Sequence, residues 1–148
     1  MYDNERELLL KDLSARLYYG VKIKTPYNDE SVVGIIKRNG YAKGTIYFDI
    51  VTDRQTYPIE CAKPYLRPLS SMTVEEYVYF MSIRGMNLRS YEIQEMISEY
   101  VSHPNRIAIV NTLGRYSHNI DWLDKNMFDY RGLIQKGLAI DCTGLNIY

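Results

Sequence analysis

The chain has 148 residues, of which 46% are hydrophobic and 24% are charged, as expected for one soluble domain of ordinary size. Its 18 basic residues are balanced by 18 acidic residues, so it lacks the basic excess of a dedicated duplex DNA binder. No run of about 18 apolar residues occurs, and MYDNERELLLKDL, residues 1–13, lacks the apolar core of a secretory signal. These features predict a cytoplasmic protein that neither spans a membrane nor binds duplex DNA.

The first predicted element is a helix from about Asn4 to Leu17, forming segment 1–17. Asn4 and Glu7 have the spacing of a capping box. Leu10 and Leu13, with Leu17, form one apolar stripe. The stripe predicts a helix that packs against the rest of the fold.

Segment 18–68 changes to the alternating pattern of β-strands. The predicted strands lie in YYGVKIKTPY, SVVGIIKRNG, GTIYFDIV and TYPIECA, and the prolines of KPYLRP are predicted to end the sheet. Short strands with tight turns favour a small SH3-like β-barrel. An open meander packed on the first helix is the alternative.

Segment 69–148 is predicted to be mostly helical and to pack on the barrel in one compact α+β domain. Thr73 and Glu76 form a capping box, with Met72 and Tyr77 as a hydrophobic staple. A further helix is capped by Asn87 or Ser90 and carries the apolar stripe Ile93, Met96, Ile97 and Tyr100.

The stretch NMFDYRGLIQKGLAID, residues 126–141, is predicted to close the core. Asp129 would cap a helix that begins at Tyr130 and ends at Gly137. Arg131 and Lys136 would face solvent. Each feature has a structural role, so no substrate is needed to explain the stretch.

Two segments, KPYLRPLSSMT at 63–73 and FDYRGLIQKGLAID at 128–141, resemble an uncharacterised family of small proteins from gut Bacteroidales genomes and their phages. In that family a stretch similar to LSARLYYGVKIKT, residues 13–25, precedes the proline-rich segment. The resemblance implies an intracellular accessory protein of a bacterium, a mobile element or a phage. It implies no activity and transfers no functional residue.

The sequence lacks the patterns of common enzymes and cofactor sites. No Walker lysine loop, GxGxxG, HExxH or GxSxG motif occurs, so no cofactor and no metal are predicted. Cys61 and Cys142 fit no ligand spacing and are predicted to be reduced and half-buried. An enzyme using His118, Asp121 or Asp124 is the least favoured hypothesis, since His103 and His118 are the only histidines.

Tyrosine is unusually frequent, with 15 residues, and several tyrosines stand beside lysine or arginine in segment 18–68. That segment has eight basic and five acidic residues, whereas 69–103 has two basic and five acidic residues. The predicted partner-binding residues lie in or beside two hairpin turns: Lys37, Arg38, Tyr41, Lys43 and Arg54.

The favoured hypothesis is a non-catalytic binding protein of a bacterium, mobile element or phage. Its partner would be a protein or a small anionic ligand such as a nucleotide, as in a phage counter-defence factor that binds a host protein or a nucleotide signal. The alternative is a small-barrel module associated with single-stranded nucleic acid, because aromatic faces beside cations stack bases and hold phosphates. The sequence does not indicate an oligomeric state.

Overall fold

The computed structural model describes residues 1–82, 94, 95, 98 and 117–148. These residues form two compact units, one of Met1–Leu66 with Arg131–Tyr148 and one of Arg67–Tyr130. The first unit contains the N-terminal helix and a six-stranded sheet, and the second contains helices, so the fold class is α+β. Of the predicted helix after Asn87 only Gln94, Glu95 and Ser98 are described, and its apolar stripe and His103 lie outside the described residues.

The predicted N-terminal helix is confirmed. Helix α1 spans Asp3–Arg16 and continues as a 3₁₀ turn at Leu17–Tyr19. Its cap differs from the predicted one, because the Tyr2 backbone N–H donates to Oε2 of Glu5 at 2.9 Å. The helix therefore begins one residue early, and Glu5 takes the capping position assigned to Glu7.

Helix α1 buries a different face from the one the leucines predict. Of the predicted stripe only Leu13 is fully buried, whereas Leu10 and Leu17 are half-buried. The buried positions follow the i, i+3, i+4, i+7 spacing of one helix face: Leu9, Asp12, Leu13 and Arg16. Two of these four positions are charged, and hydrophobicity alone would not have selected them.

A three-residue ion network explains how these charges are buried. Asp12 Oδ2 accepts from Nε of Arg16 at 2.9 Å, and Asp12 Oδ1 accepts from Nη1 of Arg131 at 2.8 Å. The prediction that Arg131 faces solvent is therefore wrong, since its side chain is only 12% exposed. Isolated buried charges are strongly destabilising, so each member of the network depends on the others.

The sheet is open. Its strands are β1 Lys22–Lys24, β2 Asp29–Asn39, β3 Ile46–Thr52, β4 Thr56–Pro58, β5 Lys63–Leu66 and β6 Ile140–Asp141. The strand order is β4-β3-β2-β1-β5-β6, and every pair is antiparallel except β5 with β6.

The first four strands form a meander, and the SH3-like barrel is not confirmed because β4 and β6 remain at the two edges of the sheet. The prediction that the prolines end the sheet is wrong. Lys63–Leu66 forms β5, and Pro64 lies opposite Ile23 of β1. The predicted returning strand pairs only over Thr56–Pro58, because the chain then forms a 3₁₀ turn at Ile59–Cys61.

The last residue of the chain joins two strands of the sheet. The hydroxyl of Tyr148 accepts from the Lys22 backbone N–H at 3.1 Å and donates to the Tyr65 carbonyl at 2.9 Å. Burial of this hydroxyl raises the pKa of Tyr148 to about 12. The phenol therefore bridges β1 and β5.

The segment before β6 is a compact turn and not the predicted helix. Gly137 N–H donates to the Ile134 carbonyl at 3.0 Å, and Leu138 N–H donates to the Leu133 carbonyl at 2.9 Å. These two bonds are those of a Schellman motif with Gly137 at its left-handed position, where φ is +70°. Lys136 is exposed, as predicted, and Leu133 is buried. The N-cap role of Asp129 is wrong, because no helix begins after it.

In the second unit, helix α2 spans Val74–Ser82 and helix α3 spans Ser117–Lys125. The predicted capping box is confirmed, since Thr73 Oγ1 accepts from the Glu76 N–H and Glu76 Oε2 accepts from the Thr73 N–H. The core of this unit contains Leu69, Met72, Tyr77, Phe80, Leu123 and Phe128, so both residues of the predicted staple are buried.

The Glu76 carboxylate also accepts hydrogen bonds from both terminal nitrogens of Arg67, each at 2.8 Å. Burial opposes ionisation of this carboxyl, but the bonds from Arg67 and from the Thr73 N–H outweigh it and lower the pKa of Glu76. The Arg67 guanidinium lies 4.3 Å from the centroid of the Phe128 ring. One arginine thus joins the capping carboxylate to the aromatic core of this unit.

Both cysteines carry thiols and share no disulfide. The prediction that both are half-buried is wrong, because Cys61 is exposed and Cys142 is buried. Cys61 lies in the 3₁₀ turn after β4, and Cys142 follows β6.

Candidate functional site

Four of the five predicted binding residues lie on one hairpin. Lys37 and Arg38 are near the end of β2, and Tyr41 and Lys43 are in the loop of residues 40–45. Arg54 is in the turn between β3 and β4, at the opposite end of β3. We call residues 35–50, with their loop, the β2–β3 hairpin. The structure brings four predicted residues onto it and leaves Arg54 apart.

The end of this hairpin extends beyond both neighbouring strands. Strand β1 pairs with Asp29–Ser31 of β2, and β4 pairs with Asp49–Val51 of β3. The remaining length is a two-stranded ribbon in which Arg38 lies opposite Tyr47. Four of its large apolar and aromatic side chains are exposed: Ile36, Tyr41, Ile46 and Tyr47.

Glycine shapes the loop of the hairpin. The Gly40 N–H donates to the Thr45 carbonyl at 2.7 Å, and the Thr45 N–H donates to the Ala42 carbonyl at 3.0 Å. A Cβ on Gly40 would lie 2.5 Å from Cε2 of Tyr47, so only glycine lets this ring lie against the loop. The position of Tyr47 therefore depends on Gly40.

One face of the hairpin carries an ion pair. Arg38, Tyr47 and Asp49 lie on the same face, because paired residues share a face and side chains alternate along each strand. Asp49 is buried, and its Oδ2 accepts from Nε and Nη2 of Arg38. The Arg38 side chain remains 61% exposed. The carboxylate holds the arginine in place, and the rest of the side chain faces solvent.

A groove of about 350 Å³ runs along this face, which is within the size range of small-ligand sites. It is lined by Arg38, Asn39, Gly40, Tyr41, Tyr47, Phe48, Asp49, Pro58 and Glu60. Glu60 accepts from Nε of Arg6 at 2.7 Å. The charged groups of the groove are thus held by ion pairs, and three of its nine lining residues are aromatic.

The other cations of the hairpin are differently placed. Lys37 lies opposite Phe48, on the face away from Arg38, and Lys43 lies at the tip. Both side chains are exposed, and neither forms an ion pair with any carboxylate among the described residues. These two charges are therefore available to an acidic or phosphorylated partner.

Strand β3 has a backbone edge beside the groove. The Thr52 N–H donates to the Gln55 carbonyl at 2.8 Å on the side facing β4. Because backbone groups alternate in direction along an antiparallel strand, those of Phe48 and Ile46 point to that same side. Strand β4 ends at Pro58, opposite Asp49. Within the described part of the chain, the N–H groups of Ile46 and Phe48 have no strand partner there.

The groove includes residues that the sequence did not single out. Alternation along IYFDI places Tyr47 and Asp49 on one strand face, but strand propensity alone accounts for a tyrosine there. Glu60 lies two residues after Pro58, and no local pattern in the sequence connects it with the hairpin. Its presence in the groove depends on the turn after β4.

Two of the residues considered for catalysis, Asp121 and Asp124, lie in helix α3. Asp121 is exposed, whereas Asp124 is buried and its Oδ2 accepts from the Tyr130 hydroxyl at 3.2 Å. His103 and the His118 side chain lie outside the described part. Among the residues that can be described, no group of three or more histidine, cysteine or acidic side chains could hold a metal.

No protein-family model matches this chain, and comparisons with curated proteins and with solved structures gave no significant match. Among the described residues, no helix has both the length and the apolar character needed to cross a membrane.

Proposed function

We propose that this protein is a non-catalytic binding protein that takes its partner on the β2–β3 hairpin. The observation that carries the proposal is the exposure of Tyr41, which lies at the tip of a ribbon that neighbouring strands leave uncovered. An exposed tyrosine contributes little to folding, but it is a frequent energetic anchor in protein interfaces.

The charges of the hairpin support a partner with negative charge. Lys37 and Lys43 are exposed, and Arg38 presents much of its side chain to solvent while it is held by Asp49. Exposed charges that are not needed for packing can attract a partner of opposite charge. This electrostatic steering acts mainly on the association rate. An acidic protein surface and a phosphorylated ligand both fit this chemistry.

A single-stranded nucleic acid is the second candidate. Tyr41 could stack on a base while Lys43 contacts a phosphate. The carboxylates of Asp49 and Glu60 line the same groove and disfavour a phosphate inside it. We therefore favour a protein partner over a nucleic acid.

The biological setting is part of the proposal. The sequence resemblance supports a role in a bacterium, a mobile element or a phage, where a counter-defence factor would bind a host protein or a nucleotide signal. The exposed cations and tyrosine would serve either ligand. The sequence resemblance and the composition are what support this setting and a cytoplasmic location.

Site-specific photocrosslinking tests the proposal. A photoreactive phenylalanine derivative replaces Tyr41 in one protein and Tyr27 in a control, because Tyr27 is an exposed tyrosine in the turn between β1 and β2. Each protein is expressed in the source cells and irradiated. Nuclease and protease digestion of the crosslinked material then shows whether it is nucleic acid or protein.

We expect a discrete crosslinked product at position 41 that is absent at position 27 and is removed by protease. A product removed by nuclease would support the second candidate and overturn the protein partner. Equal products at both positions, or a product at position 27 alone, would contradict binding at the hairpin.

A further inference from the structure

We propose that the partner contributes an extended acidic peptide segment, which adds as a strand to the edge of β3 at Ile46–Phe48. This inference rests on the proposed function, because it specifies what the hairpin binds. The proposed function requires only a contact surface, whereas this inference predicts hydrogen bonds between the main chain of the partner and that of β3.

The backbone geometry supports strand addition. Ile46 and Phe48 direct their N–H and C=O groups away from β2, and β4 stops before it reaches them. An uncovered strand edge is a template for pairing with another chain, and peptide recognition by added strands uses such an edge. Ile46 offers an N–H donor and a carbonyl acceptor to an incoming segment, and Phe48 offers its N–H, because the pairing of Asp49 with Pro58 directs the Ile59 N–H to the Phe48 carbonyl.

The end of β4 limits where the segment can lie. Pro58 lies opposite Asp49, and the chain then turns away through Ile59–Cys61. A segment beside Ile46–Phe48 would thus occupy the line of β4 beyond its last residue. Pro58 and Glu60 would lie at one end of this segment, and the loop of residues 40–45 would lie at the other.

The two faces of the hairpin differ in charge. This difference determines which kind of side chain the bound segment should carry on each side. The groove face carries the aromatic walls of Tyr41 and Tyr47 with the carboxylate of Glu60, so it favours apolar side chains. The opposite face carries Lys37 together with Ile46 and Phe48, and the tip carries Lys43, so the two lysines favour acidic side chains on that side of the segment. Successive residues of a strand face opposite sides. The preferred segment therefore alternates apolar and acidic residues.

A displayed library of random heptapeptides is the first probe, selected on the full chain. We expect enriched peptides that alternate apolar with acidic residues and that lack proline at interior positions, where a ladder N–H is required. One enriched peptide is then synthesised, and amide hydrogen exchange is measured by NMR with and without it.

The exchange pattern tests the pairing directly. Binding should slow exchange of the Ile46 and Phe48 amides at least tenfold. It should leave the amides of Lys37 and Asn39, on the outer edge of β2, unchanged. Protection at Lys37 and Asn39 instead, or no protection at Ile46 and Phe48, would overturn strand addition to β3.

A matched pair of variants isolates the backbone donor. Phe48→Pro removes both the ring and the outward N–H, whereas Phe48→Ala removes the ring and keeps the donor. Because this N–H takes no part in pairing with β2, proline at such an edge position is compatible with the strand. We expect Phe48→Pro to bind the peptide at least tenfold more weakly than Phe48→Ala. Equal affinities of the two variants for the peptide would overturn the proposal. If Phe48→Pro does not fold, the amide exchange of the unaltered protein decides between the outcomes.

Failure of this inference is distinguishable from failure of the proposed function. If no peptide is enriched but oligodeoxythymidine shifts the NMR signals of the β2–β3 hairpin, strand addition is overturned and hairpin binding stands. The same holds if a peptide binds through Tyr41 without protecting Ile46 and Phe48. If neither probe perturbs the hairpin and crosslinking at position 41 gives no product, both proposals fail.

Discussion

The Arg131 guanidinium donates to the buried carboxylate of Asp12 at 2.8 Å, across 119 positions of the chain. The same carboxylate accepts two bonds from Arg16, at 2.9 and 3.0 Å. One aspartate therefore balances two buried or nearly buried guanidinium groups and ties the segment after residue 130 to helix α1.

Removal of this carboxylate should be strongly destabilising. Asp12→Ala would leave Arg16 buried without its counter-charge, at a cost of about 3 kcal/mol or more. Asp3→Ala is the control, because Asp3 forms an exposed ion pair with Arg6 and its loss should have little effect. Urea unfolding of both variants measures the difference. Equal midpoints for the two variants would contradict the structural role of the buried network.

The Schellman turn predicts how strongly different substitutions at Gly137 destabilise the protein. Gly137→Val should destabilise by about 1 kcal/mol or more, because a β-branched residue resists a φ of +70°. Gly137→Asn should cost less, since asparagine tolerates the left-handed region better. Thermal unfolding of the two variants provides the comparison. A valine variant as stable as the asparagine variant would show that this turn is not maintained.

Tyr65 should make stability depend on alkaline pH. Its hydroxyl donates to Oδ1 of Asp29 at 2.7 Å, and burial together with this bond raises the pKa of Tyr65 to about 12. An unfolded tyrosine has a pKa of about 10, so the native state holds this proton more tightly. The resulting stability is fully present below pH 10 and is lost as the pH rises from about 10 to about 12.

Tyr65→Phe should therefore show a shallower loss of stability over this alkaline range than the unaltered protein. The same variant should lack one of the tyrosine ionisations near pH 12 in an absorbance titration. Tyr148 also has its pKa raised to about 12, so its high-pH ionisation should remain in the variant. Identical pH profiles for the variant and the unaltered protein would rule out this assignment.

The two thiols should differ in reactivity. Cys61 is exposed and Cys142 is buried. Titration with a thiol reagent should therefore detect one thiol quickly in the native protein and two after denaturation without reductant. A count of zero after denaturation of freshly prepared protein would indicate a disulfide, and two fast thiols in the native protein would contradict the burial of Cys142.

Local patterns predicted the parts of the fold that depend on neighbouring residues. Helix α1, the hairpin strands and the Thr73–Glu76 cap follow from periodicity and capping chemistry that act within a few residues. The positive φ of Gly137 was also predictable, because few other residues adopt it. In the candidate site, the predicted strands SVVGIIKRNG and GTIYFDIV form one hairpin, which carries Lys37, Arg38, Tyr41 and Lys43.

Long-range pairing accounts for the parts that were not predicted. The spacing of Asp12 and Arg16 suggests an ion pair on the helix surface. In the structure this pair is buried, and Arg131, which is distant in sequence, also donates to Asp12. Strand β5 contains a proline, which argues against a central strand, but β1 and β6 hold it in the sheet. The edge at Ile46–Phe48 depends on where β4 stops, and the turn at Ile59–Cys61 determines that point.

A Tyr41→Ala, Lys43→Ala double variant tests whether the β2–β3 hairpin binds the partner. Tyr27→Ala with Lys136→Ala is the matched control, because these residues are also exposed and lie outside the hairpin. A third variant replaces Glu92, Glu95 and Glu99 with alanine, away from the hairpin in sequence. Each protein is purified from the source cells, its melting temperature is recorded, and co-purified material is identified by mass spectrometry and by absorbance at 260 and 280 nm. The hairpin variant should keep its melting temperature and lose the co-purified partner, and the other two should retain it. Retention by the hairpin variant, with loss from the glutamate variant, would contradict the account.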